Sequence, residues 1–154
     1  MKGIWPCMLA VLFFTQNKTM KTQNVLELSD VQAIAAAAQT EAQKNNWAVS
    51  IAIVDAGGHL LHFQRLNGAA PLSSHIAPAK AHTAAMGQRE TKIYEDIING
   101  GRYAFLSAPL VQGMLEGGVP IMKDGVCLGA VGVSGVKSPE DAQIAKAGIA
   151  AIGL

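Results

Sequence analysis

A chain of 154 residues suits one domain, long enough to bury about two thirds of its unfolded surface. Hydrophobic residues make up 50% and charged ones 15%, with 16 glycines and 5% aromatics, which excludes a disordered chain and implies a core of small side chains. The formal net charge of +1 supplies no basic face to neutralise phosphates, so nucleic acid is not an expected partner.

Lys2 and the apolar run over residues 4–14 look like the first two regions of an export signal. The run is shorter than the roughly 20 residues needed to cross a bilayer, and residues 15–20 lack a small-x-small cleavage pair. Residues 1–20 are therefore read as a hydrophobic extension, disordered, artefactual or signal-like, and residues 21–154 as a single domain. The expected compartment is cytoplasmic, export being the alternative, without stable membrane insertion.

Ser29-Asp30-Val31-Gln32 forms a capping box, and Val31, Ile34, Ala35, Ala38 and Ala42 then recur at helical spacing as far as Asn45-Asn46. Residues 49–55 and 59–65 read as two antiparallel strands joined through Ala56-Gly57-Gly58. Ser73, Ser74 and Pro78 open a helix running towards Arg89, and residues 91–99 give another, stopped by Gly100-Gly101. A further helical piece is predicted over 109–116. A second hairpin follows from residues 119–122, a turn at Lys123-Asp124-Gly125, and residues 126–134. The last helix starts with Ser138 as N-cap and Pro139 at its first position, and buries Ala142, Ala145, Ile149 and Ile152. This order predicts an α+β fold, a central antiparallel sheet of about five strands flanked by helices.

Four histidines stand out in a chain poor in polar groups. His59 and His62 differ in strand parity and point to opposite faces, while His75 and His82 share a helix face about 10 Å apart, too far for one ion. Lys80, Thr83 and Gly87 also share a helix face; either the helix packs tightly there, or Lys80 pairs with a ligand carboxylate beside the Thr83 hydroxyl. Gly117, Gly118 and Pro120, and the glycines of 129–135, suggest a bulge or a ligand close to backbone. Their spacing matches neither G-x-G-x-x-G nor G-x-S-x-G, so no nucleotide fingerprint or serine nucleophile is assigned. Cys7 and Cys127 are far apart without metal spacing, and Cys127 reads as a small buried hydrophobe.

Residues 53–60, 80–84, 116–121 and 129–135 together resemble the GlcG/HbpS family over about residues 22–152, with the C-terminal domain of PduO as a more distant relative. The pattern departs from that family at Pro78 and at His82. The resemblance implies a homo-oligomer able to bind a tetrapyrrole, haem before corrinoid, in a role accessory to glycolate utilisation. It implies no catalytic residues. Lys80, His82, Thr83, Gly117, Gly118 and Pro120 would then bind the cofactor, Lys80 through a propionate, and either His75 or His82 would ligate the iron. Two alternatives stay open: an enzyme or sensor for a small carboxylate such as glycolate, with Lys80 as anion clamp, and a purely structural homo-oligomer.

Overall fold

In the computed structural model, which describes residues 20–154, the chain runs α1 (Leu28–Lys44), β1 (Ser50–Asp55), β2 (Leu60–Arg65), α2 (Ser73–Gly87), α3 (Thr91–Asn99), a short 3-10 helix (Tyr103–Ser107), β3 (Gly118–Lys123), β4 (Val126–Ser134) and α4 (Ser138–Ala150). The reading of the extension falls on residues outside this range, up to residue 19. The strands form one antiparallel sheet in the order β2-β1-β4-β3, so the α+β class is as expected, with four strands instead of about five.

Helices cover both faces of the sheet, and they do so with different side chains. On one face Ile51, Ile53, Val119, Ile121, Val131 and Val133 pack under α1 and α4, against residues such as Ile34, Ala38, Ile144 and Ile149. On the other, Ala52, Val54 and Ala130 meet only the alanines Ala77, Ala81, Ala84 and Ala85 of α2. With no long side chain between them, α2 lies almost directly on the sheet. A Cβ on Gly132 would strike the Ala77 carbonyl oxygen and the Ala81 nitrogen, and one on Gly118 would strike the Lys80 carbonyl. These strand glycines serve the approach of a helix. A bulge does occur nearby: Ile121 pairs with Gly129 and Met122 with Cys127, leaving Leu128 unpaired and turned into the larger core.

Both predicted caps shift towards the N-terminus. The N-cap of α1 is Glu27, whose N–H donates to Asp30 Oδ2 at 2.9 Å, and that of α4 is Lys137, whose N–H donates to Glu140 Oε2 at 3.1 Å. In each case an acid at the third helical position satisfies the free amide, which a shorter serine at the start does not do. Helix α2 stops at Gly87 because Gln88 turns left-handed at φ 52°, short of Arg89.

The helix predicted over 109–116 is absent. That segment is a turn followed by irregular chain with a bend at residues 115–116, because its backbone is bonded by side chains of other helices. The Gly113 N–H donates to Thr83 Oγ1 at 3.0 Å, the Glu116 N–H to Glu95 Oε2, and the Gly118 N–H to Thr91 Oγ1 at 2.9 Å, while the Thr91 hydroxyl donates to the Leu115 carbonyl. Those tertiary bonds replace the i to i−4 bonds a helix would make.

Candidate functional site

The fold does bring Lys80, Thr83, Gly117 and Gly118 together, but inside. Lys80 Nζ donates to Asp141 Oδ2 at 2.8 Å and to the Val133 carbonyl at 3.0 Å, with 3% of each side chain exposed. Asp141 also accepts from the Val136 N–H at 3.3 Å. Burial pushes the Asp141 carboxyl above its ordinary range, and the Lys80 bond offsets this only in part. Gly117, at φ 123°, sits so close that a Cβ would lie 2.7 Å from Lys80 Nζ. Thr83 is fully buried and bonded to Gly113. The lysine expected to hold a propionate or a small acid therefore ties α2 to β4 and α4, and its ammonium does not reach the surface. Pro120 lies apart from this cluster, half-buried in a shallow groove with Met122, Lys146, Ile149 and Leu154.

The histidines occupy the opposite side of α2 and the edge beside it. His75 is exposed and His82 half-buried, on the face of α2 that also carries Pro78, Ala79 and Met86. No charged side chain lies on that face, since Lys80, the only charged residue of α2, points inward. Beside it runs the edge strand β2. Leu60 pairs with Val54 and Phe63 with Ala52, which places both on the α2 side of the sheet, 56% and 37% exposed. His82 marks where the two surfaces meet, its Cδ2 2.6 Å from where a Cβ of Gly58 would be.

Gly58 belongs to the β1-β2 turn, which Asp55 organises. Asp55 Oδ1 accepts from the Gly57 N–H at 2.8 Å, the His59 N–H at 2.9 Å and His59 Nδ1 at 3.1 Å. Burial raises the Asp55 carboxyl, but the bonds from His59 and Gly57 outweigh it and hold it below the ordinary 3.8. His62 meets only Gln64, Nε2 to Oε1 at 3.3 Å. Sequence parity places His59 and His62 on opposite faces, but the β1-β2 register shifts at Leu61, so that His62 pairs with Ile53 on the α1 side of the sheet, the side on which Asp55 holds the His59 ring. Parity also does not reveal the Asp55 partner, which depends on the turn closing.

A groove of about 590 Å³ is polar: Gln39, Gln43, Asn46, Trp47, Arg65 and Asn67 line it. Two apolar grooves are smaller, about 320 Å³ around Ile98, Leu106 and Met114, and about 270 Å³ around Met86, Tyr94, Phe105 and Leu110. Ligand pockets usually span about 300–1,000 Å³.

Residues 26–150 match the family model described as haem degrading protein HbpS-like. The chain belongs to the HbpS-like family. It is 56% identical over 115 residues to Protein GlcG of Escherichia coli K12, covering 75% of this chain and 85% of that protein. Among solved structures it is similar to PduOC in complex with haem, at TM-score 0.76 and 32% identity over 83% of this chain and 95% of the other. A double mutant of HbpS from Streptomyces reticuli superposes at TM-score 0.78 with 31% identity, over 88% and 92% of the two chains. The two solved structures share the fold over 83% and 88% of this chain.

Proposed function

We propose that this HbpS-like chain is a haem-binding protein without catalysis of its own, working as a homo-oligomer in a role accessory to glycolate utilisation. The observation that carries the reading is the uncharged outer face of α2 beside exposed Leu60 and Phe63, a flat apolar surface with imidazoles at its border. Haem is flat, apolar over most of its area and bound through an axial imidazole in many proteins, so surface and ligand are chemically matched. A second copy would cover the face of the macrocycle turned away from α2. The haem complex of PduOC supports the same ligand, and so does the haem named in the family description, although the degradation named there is not part of this reading. Lys80 has no part in holding it, because its ammonium is bonded inside the fold.

The test is a titration of ferric haem into the full chain followed by absorption. A saturable Soret shift at a fixed haem-to-chain ratio is expected, and a linear response equal to free haem would overturn the reading. The small-carboxylate alternative draws support from one feature, Arg65 beside Trp47 in the groove of about 590 Å³, whose lining contains no acid. In that case glycolate would raise the melting temperature of the chain, since a ligand bound only to the folded state stabilises it.

A further inference from the structure

The last turn of α1, the start of β1 and the end of β2 meet at one end of the sheet, where Ser50 pairs with Arg65. The backbone closes on itself there. The Asn46 N–H donates to the Gln43 carbonyl at 3.0 Å and the Trp47 N–H to the Ala42 carbonyl at 2.9 Å, while Asn45 Nδ2 donates to the Glu41 carbonyl at 2.8 Å. Three of the last four carbonyls of α1 are thus used. The polar groups left to line the groove of about 590 Å³ are the amides of Gln39, Gln43, Asn46 and Asn67, the guanidinium of Arg65 and the indole N–H of Trp47.

These side chains keep their hydrogen-bonding capacity. Among the described residues none of the four side-chain amides is bonded within the fold, whereas Gln143 of α4 spends its amide on the Glu41 carboxylate at 2.6 Å. Arg65 has no ion pair either; the pairs present join His59 to Asp55, Lys80 to Asp141, Lys92 to Asp96 and Lys146 to Glu90. With Glu41 engaged by Gln143, the lining carries one formal charge, and it is positive. Trp47 is half-buried and packed against the core, which holds its indole in place at the wall.

Each group calls for a definite partner. A guanidinium without a carboxylate of its own suits one from a ligand, through two parallel bonds. A side-chain amide both donates and accepts, as a hydroxyl does, so four of them match a row of hydroxyls. An indole adds an apolar wall with one N–H donor. Glycolate has five non-hydrogen atoms and, at the volume of one water for each, fills about 150 Å³, which leaves most of the amides unanswered. We propose that this groove binds a polyhydroxylated carboxylate, a sugar acid of the aldonate or uronate kind, with Arg65 on the carboxylate and the amides on the hydroxyls. The site is independent of the haem reading, and it shares the groove of the small-carboxylate alternative but not its ligand.

The experiment titrates gluconate, glucuronate, sorbitol and glycolate into the chain carrying Trp5→Phe, which leaves Trp47 as the single indole, and follows its fluorescence and the heat of binding. Gluconate or glucuronate should saturate at a fixed ratio with a shift of Trp47 emission, at least about 10-fold more tightly than sorbitol or glycolate. Arg65→Gln should abolish the preference over sorbitol, and Gln43→Ala should weaken binding about 2–10-fold, the weight of one neutral hydrogen bond. Lys44→Gln removes an exposed cation of the same helical turn outside the lining and should change nothing. Absence of saturable binding by both sugar acids overturns the proposal. So does glycolate binding as tightly as they do, which would give the groove to a small acid, and so does an equal loss in Lys44→Gln and Arg65→Gln, which would mean general charge attraction. Arg65 and Gln43 are exposed, so melts of their variants should match the wild type. Ferric-haem titration of Arg65→Gln should also match it, which lets the two readings fail separately.

Discussion

An ammonium group buried to 3% exposure needs acceptors, and Lys80 has two, the Asp141 carboxylate and the Val133 carbonyl. Removing one partner of such a pair strands the other charge, at a cost of about 3–5 kcal/mol, whereas replacing both by apolar groups of similar size is often close to neutral. Lys80→Ala should therefore lower the urea unfolding free energy by about 3–5 kcal/mol. The double variant Lys80→Met with Asp141→Leu should recover most of that loss; simple additivity of the two single losses would show that the pair is not coupled. The deficit of Lys80→Ala has a pH dependence of known sign. Burial already raises the native Asp141 carboxyl, so the folded form takes up a proton at higher pH than the unfolded chain, whose ordinary value is 3.8. The penalty for the charged form is thus present at neutral pH and shrinks as pH falls towards 3.8. Spacing on a helix places Lys80 and Thr83 on one face but is silent on Asp141, 61 residues away, and so leaves ligand clamp and buried joint as equal readings.

At the scale of elements, the contact between α2 and the sheet depends on what is missing at Gly132 and Gly118. Gly132→Ala would press a methyl into the α2 backbone at Ala77 and Ala81, and backbone has little room to yield. Thermal unfolding should show a loss of about 3 kcal/mol or more, the upper end for overpacking. Gly125→Ala is the matched control. It has φ 76° in a turn with nothing within 4 Å of the added carbon, so only the left-handed backbone is penalised, by about 1–2 kcal/mol. Equal losses at both sites would show that α2 can retreat from the sheet. The helices, both hairpins and the small-residue packing were legible because their signals are local: period, turn glycines, capping acids. The segment 109–116 was not, since Thr83, Thr91 and Glu95 bond it from elements far away in the chain and outweigh its own preference.

The whole molecule leaves β2 as an exposed edge strand with Leu60, Leu61 and Phe63 at 56%, 42% and 37% exposure. Apolar side chains on an unpaired edge invite association, and proteins that stay monomeric usually guard such edges with charge. The proposed homo-oligomer should accordingly appear in light scattering after size exclusion, and Leu60→Glu with Phe63→Glu should shift it to the monomer mass without changing the far-ultraviolet spectrum. A monomeric wild type would remove the second copy from the haem site. No helix among the described residues is long and apolar enough to cross a membrane.

By itself the sequence determined the α+β class, the order of nearly all elements, the family and the small-residue character of the core, because periodicity, caps and turn residues act over a few neighbours. Only the tertiary structure decided that Lys80 faces Asp141 and that three side chains keep 113–118 from forming a helix. It also joined His59 to Asp55 by closing the β1-β2 turn. Each of those outcomes is a hydrogen bond made when the chain folds back on itself, and its strength comes from burial or from fixed geometry that no local pattern contains.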